Sequence, residues 1–453
     1  MWVRVQKIVK GVWCMLGFIG LLGGLGLLIY LTVKGFNILI AAPFAALFAG
    51  VLSGLTIFPQ LAAEGEISLI TGYMTAFTNF ISSWWLMFLM GAIFGKVMED
   101  SGAADSVSRW IVEKIGVRFA LVAVVAACAV LTYGGVSLFI VAFSVFPMAL
   151  SLFKQADIPR RFIPATMAFG SVTFTMTSAG SPEIQNWIPI EYLGTTPYAG
   201  WEVSAIVAIF MIIFGYFMLS WVIRRAKAKG EYFIAQKQDQ FNLTENAKLP
   251  NPILSVLPLL IVLLISYFFH DSLGTSALII ALLGGILATY LVSFNYMKNR
   301  EKAVADGALG AVIAIANTAA VVGFGGVVKE TEAFQTAVGW VTDLPGSPLI
   351  GGAFAVAIIC GLAGSSSGGQ AIALPLIAPH YLDMGVDPEA LHRVVAISSG
   401  SLDTLPHSGY VVTTITSIAN ESYKNAYPAF GLMTVILPIL GAILAVILFS
   451  IGF

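Results

Sequence analysis

Four short polar stretches hold the side chains that could do chemistry. The first, "AGSSSGGQAIALP" at 363–375, sets Ser365, Ser366, Ser367, Gly368, Gly369 and Gln370 among apolar neighbours. The second, "TYGGVSLF" at 132–139, offers Thr132, Gly134, Gly135 and Ser137. Hydroxyls both donate and accept, and glycine lets the backbone turn tightly enough to present its own N–H and C=O groups. Such a set suits reversible binding of a small polar solute. A contact between small-residue helices, with no ligand, would use the same composition. The third stretch, "GSVTFTMTSAGSPE" at 170–183, adds Ser171, Thr173, Thr175 and Glu183. The fourth, "GSLDTLPHSGY" at 400–410, holds Asp403, Thr404 and His407. Asp403 and His407 are spaced i, i+4 and share a face if the helix is unbroken, so either could relay a proton. Pro406 between them is expected to break that helix, which would instead leave both as solvated loop residues. Asn317, alone among alanines and valines, is a weaker candidate. Cys14, Cys128 and Cys360 lie far apart without metal spacing, and no HExxH pattern occurs. No enzyme, metal or cofactor is expected.

These stretches sit in a chain of 453 residues that is 58% hydrophobic, 10% charged and has a mean hydropathy of +0.90, which excludes an ordinary soluble globule. Apolar blocks long enough to cross a hydrocarbon core of about 30 Å recur near 12–33, 37–57, 84–98, 162–180, 201–223, 253–269, 275–294, 303–328, 391–417 and 428–452. Barrel-type alternation is absent, so the spans are expected to be helices. The chain reads as an all-α polytopic protein of the inner (plasma) membrane with about ten transmembrane helices. Residues 66–83 are amphipathic and are expected along the interface. The N-terminus imitates a signal peptide, but its apolar run is too long and lacks a cleavage site, so it reads as the first span. A net charge of −1 and the lack of a long basic tract argue against nucleic acid as a partner. His270, His380 and His392 are expected at helix ends near the interface, with Arg393 and Lys329 as topology anchors.

Two segments do not fit simple spans. Residues 119–153 and 348–382 each consist of two apolar arms of about 15 residues around a Gly/Ser break. Such an arm reaches about 22 Å, short of a crossing, so each segment reads as a re-entrant helical hairpin with its tip near mid-membrane. Gly170-Ser171 recurs as Gly400-Ser401, Pro159 as Pro388 and Pro147 as Pro375, at a nearly constant offset. Hairpin one is flanked by basic residues such as Lys154 and Arg161, hairpin two by acidic ones such as Asp383 and Asp387. The positive-inside rule then has them enter from opposite faces. The expected organisation is an inverted repeat: 1–223 as five spans plus a hairpin, a basic cytoplasmic linker at 224–251, and 252–453 as the second copy. Inverted repeats with discontinuous helices at mid-membrane are the architecture of secondary transporters.

The stretch "GAIFGKVMEDSGAADSVSRWIVEKIG" at 91–116 resembles a signature of the gluconate:proton symporter family, the Gnt-type permeases of the ion transporter superfamily. "GSLDTLPHSGY" is similar to that family's later "GS…H…DSGF" motif. The resemblance implies proton-coupled uptake of small organic acids, and a homodimer in which a transport domain moves against a scaffold. Gluconate-type members tend to place an Asp in the first hairpin and an Arg near the second tip. Here those places read "TYGGVSLF" and "GSSSGGQAI", and His407 stands where the family has the Asp of "DSG". A less hydroxylated anion such as 3-hydroxybutyrate, lactate or acetoacetate is therefore expected to suit the site better than a sugar acid. The alternatives are a gluconate permease, sodium in place of the proton, or a passive channel.

Overall fold

The computed structural model describes residues 2–236, 248–297, 299–342, 347–406 and 408–453, and these form helices with no strand. The first group comprises α1 (Trp2–Val33), α2 (Ile38–Leu52), α3 (Leu69–Asp100) and α4 (Ala103–Ile115). Hairpin one is α5 (Ala120–Tyr133) and α6 (Leu138–Gln155), followed by the short α7 (Ile163–Ala168) and α8 (Ile188–Leu193) and the long α9 (Trp201–Ala228). Then come α10 (Pro252–Leu273), α11 (Ser276–Ser293), α12 (Arg300–Val328) and α13 (Glu332–Thr342). Hairpin two is α14 (Pro348–Ala363) and α15 (Ser366–Asp383), followed by α16 (Pro388–Leu402), α17 (Gly409–Val412), α18 (Tyr423–Gly431) and α19 (Leu437–Ser450).

By length and composition, eight of the described helical segments can cross a membrane, or nine if α4 and α5, bent by 100° about Gly116, form one span. The chain is an all-α, multi-pass membrane protein. The count differs from ten because three expected blocks are not long continuous helices, while α6, expected as a short hairpin arm, is itself long and apolar enough to cross. Block 37–57 holds only the 15-residue α2. In 162–180, α7 passes into a π-helical turn at Phe169–Thr173 and the chain then leaves the helix. The Thr175 hydroxyl donates there to the Gly170 and Ser171 carbonyls, so side chains satisfy the groups that the break exposes. In 391–417, α16 stops at Leu402, ahead of Pro406, and the chain resumes at α17. Asp403 is thus the C-terminal boundary residue of α16 and does not share an intact helical face with position 407; His407 itself lies outside the described residues.

The amphipathic stretch 66–83 is also different from expectation. From Leu69 onward it is the first half of the 32-residue α3, whose N-cap Ser68 accepts the Thr71 N–H. The Thr78 hydroxyl donates to the Met74 carbonyl, hiding its polarity inside the helix. Tyr73 donates to the Ala320 carbonyl of α12, along which α3 packs. Cross-helix packing explains what amphipathicity alone assigned to the interface.

Two apolar cores result. The larger joins both hairpins with α9, α10, α11, α16 and α19; the smaller lies between α1, α2, α3, α12 and α13. In each half a glycine lets a hairpin arm approach the broken helix that follows it. A Cβ on Gly170 would run into α5 at Val125 and Cys128, and one on Gly361 would lie 2.6 Å from the Leu402 Cβ of α16. Gly369, in α15, faces the backbone of Cys360 in α14. Gly369→Ala is therefore expected to push the arms of hairpin two apart and cost about 1–3 kcal/mol, read as a lower melting temperature in detergent.

The bases of the hairpins sit at opposite ends of α9, a 28-residue helix about 42 Å long. Beyond its C-terminus, Glu231 pairs with Arg161, which follows hairpin one, at 2.7 Å. At its N-terminus, the Gly200 N–H donates to Glu389, which follows hairpin two, at 3.3 Å.

Candidate functional site

The two hairpin breaks and the two broken segments meet around a cavity of about 410 Å³. Gly135 and Ser137 line it from the first break, and Gly364, Ser365, Ser366 and Ser367 from the second. Both breaks turn on a glycine that a side chain would strain: Gly135 at φ +90° and Gly364 at φ +60°. The segment after α7 contributes Met176, Pro182, Glu183, Ile184 and Gln185, and the break after α16 contributes Asp403, Thr404, Ser408 and Tyr410. Asn317 and Thr318 of α12 and Thr32 of α1 add further polar lining.

The second arms of both hairpins begin at this cavity. Ser365 is the N-cap of α15 and accepts the Gly368 N–H; Ser137 precedes α6 and makes no such side-chain cap bond. Their first turns carry unpaired N–H groups and the positive ends of two helix dipoles, an arrangement suited to a carboxylate. No lysine or arginine is among the described residues lining the cavity, whereas Glu183 and Asp403 are. Asp403 is only 7% exposed; the Ser366 hydroxyl faces its carboxyl, and its Oδ1 has no hydrogen-bond partner. The Gln185 Oε1, in a side chain 8% exposed, is likewise unpartnered. The spacing Gly364-x-Ser366-x-Gly368 matches the G-x-S-x-G string of hydrolases, but it joins two helices, not the strand and helix that shape a nucleophile elbow.

Several of the residues singled out in the sequence stand behind this lining rather than in it. The Ser171 hydroxyl donates to the Met167 carbonyl and lies 3.3 Å from the Tyr410 hydroxyl. Thr173 donates to the Met433 carbonyl, and Thr175 is bound within its own broken helix. Gln370 is fully buried and ties hairpin two to its surroundings through the Gln185 carbonyl and the Ser399 hydroxyl. Thr132 is fully buried, a Cβ on Gly134 would meet Leu259 of α10, and Gly368 and Gly369 pack inside hairpin two. Tyr410, Gln185 and Thr318 were not legible as lining residues. Tyr410 closes a quoted motif, but its contact with Phe139 of hairpin one joins positions far apart in sequence.

Two expected surface residues are interior. His392 is fully buried, with Nδ1 2.6 Å from the Thr195 hydroxyl. Arg393 is also fully buried and is no topology anchor. Its guanidinium donates to the carbonyls of Thr177, Pro197 and Ala199 and to Asn186 Oδ1. Arg160 of the first half does the converse, donating to the Ala419 carbonyl and pairing with Glu421 in the second half. Each half thus supplies a buried arginine that holds the chain beyond the other half's broken helix.

A family model described as CitMHS, citrate transporter, matches residues 27–304, more than half of the chain. The chain belongs to this citrate transporter family. The match contains hairpin one and the first broken helix. The uncharacterized transporter YxjC of Bacillus subtilis (strain 168) is 33% identical over 454 residues, covering 91% of this chain and 94% of YxjC. The high-affinity gluconate transporter of Escherichia coli (strain K12) is 29% identical over 149 residues, 32% of this chain and 31% of that protein. The YdaH transporter of Alcanivorax borkumensis, solved as a crystal structure, shares the fold with a TM-score of 0.59 at 14% identity, covering 94% of this chain and 99% of that one. This CitMHS/GntP-type permease is accordingly a secondary transporter and a multi-pass protein of a bacterial cell membrane, and family membership indicates a transporter rather than an enzyme.

Proposed function

We propose that this permease imports a small organic acid anion together with protons, and that the anion is a short hydroxy- or keto-monocarboxylate such as 3-hydroxybutyrate or lactate. The observation behind this reading is the charge of the cavity. Two helix N-termini and a set of hydroxyls can hold one carboxylate, while no described lining residue is a lysine or arginine that would balance several. A tricarboxylate would bring charges with nothing to pair them. The two hairpins at opposite ends of α9 form, in this reading, an inverted repeat whose tips share the site. Asp403, buried with its Oδ1 unpartnered and its carboxyl near Ser366, is the proton-coupling group, with His407 as its neighbour in sequence.

A second reading has specific support. The family description names citrate, and a relative in part of the chain is named for gluconate, so a larger polar acid is the competing substrate. Uptake of labelled 3-hydroxybutyrate, lactate, gluconate and citrate into proteoliposomes under an imposed pH gradient separates the two. Preference for the short acids supports the proposal; transport of gluconate or citrate with the short acids ignored contradicts it. Within the site, Ser366→Ala and Ser367→Ala are each expected to weaken apparent substrate affinity about three- to tenfold, the worth of one hydrogen bond, with normal membrane insertion. If both variants transport as the wild type does, the serine tip is a packing element.

A further inference from the structure

Glu183 has no part in the reading above, yet its side chain lines the same cavity as Asp403 and the two hairpin tips. It follows Ser181 and Pro182, where the chain has left the π-helical turn after α7, and the adjoining Asn186 is held by Arg393. Its position is therefore fixed by the fold. Asp403 comes from the other half, so the two acids reach the cavity from different elements. Among the described residues, the titratable groups near them are Tyr410, by Glu183, and Cys360, by Asp403. Neither supplies a positive charge. The Arg393 guanidinium is outside the lining and is occupied by backbone and amide oxygens.

Charge counting then limits what can coexist. The N-termini of α15 and α6 each contribute roughly half a positive charge, together about enough for one monoanion. An ionised Glu183 or Asp403 beside the substrate would leave a like charge uncompensated in a poorly solvated site. The unpartnered, nine-tenths buried Asp403 Oδ1 and Gln185 Oε1 add acceptors, which favour protons rather than further anions.

We propose that Glu183 is a second proton-binding carboxyl, so that each monocarboxylate enters with two protons and one net positive charge. Both protons bind from the outer side with the anion and leave with it on the inner side. The inference rests on the proton-coupled reading and adds the stoichiometry to it.

The test uses full-length protein in proteoliposomes with 3-hydroxybutyrate as the probe, reading equilibrium accumulation against pH gradient and membrane potential separately. The wild type is expected to accumulate solute about a hundredfold per unit of pH gradient and about tenfold per 59 mV of inside-negative potential. Glu183→Gln is expected to accumulate it about tenfold per pH unit and not to respond to potential. Glu183→Asp, which keeps the carboxyl, is expected to retain both responses. A wild type that ignores potential, or a Glu183→Gln variant that still responds to it as the wild type does, would overturn the inference. The wild-type measurement decides by itself if the glutamine variant does not reach the membrane. Uptake driven by sodium and not by pH would instead bring down the proton-coupled reading, and this inference with it.

Discussion

Replacing Arg393 by leucine is expected to cost about 3–5 kcal/mol, the loss typical of removing one side of a buried charged network. The guanidinium is fully buried and serves four acceptors on three separate stretches: Thr177, Asn186 and the loop residues Pro197 and Ala199. Leucine would leave the Thr177 and Ala199 carbonyls and the Asn186 Oδ1 without this donor in a dry site, each at a cost of its own, while the Pro197 carbonyl keeps the Gly180 N–H and the Asn186 amide. Those acceptors flank Glu183 and Gln185, so the cavity wall should loosen together with the fold. Arg393→Lys keeps the charge but has no planar fork to reach all four positions, and is expected to recover only part of the loss. Thermal unfolding in detergent reads the effect. A leucine variant as stable as the wild type would show that the network contributes nothing.

Asp403→Asn is expected to lower, by about tenfold, the solute accumulation that one unit of pH gradient sustains, the thermodynamic value of one coupled proton. Asparagine keeps the shape and the contact with Ser366 while removing the titration, so substrate exchange at equal concentrations should persist. That exchange distinguishes a coupling defect from a collapsed site. An unchanged accumulation ratio would place the coupling group elsewhere, with position 407 the next to examine.

Much of the architecture was legible in the sequence because its signals are local. The Gly/Ser breaks at "TYGG" and "AGSSSGGQ" interrupt apolar runs, and the described helices break at those places, between Tyr133 and Leu138 and between Ala363 and Ser366. The arm lengths were less legible: α6 runs 18 residues and is long and apolar enough to cross. What escaped depends on contacts between distant residues. Residues 66–83 looked interfacial because their polar side chains were read without α12 beside them. Arg393 looked like an anchor because a lone cation on an apolar helix is usually at its wet end, whereas here the first half's loop supplies its acceptors. Thr173 and Thr175 were sensible polar candidates, but their hydroxyls are used to mend a broken helix. Glu183 was visible as an acid near an apolar block; only the cavity shows that it lines the same space as Asp403 and the hairpin tips.

The most direct measurement is the proton movement that accompanies the solute. Adding 3-hydroxybutyrate outside proteoliposomes, with equal pH on both sides and no sodium, should make the outer medium more alkaline as the acid enters. The initial proton and solute fluxes give the coupling ratio at once. Alkalinisation in step with uptake, and reduced in Asp403→Asn, is the result this account predicts. Solute entry without any change in outer pH, or no entry until sodium is added, would contradict it.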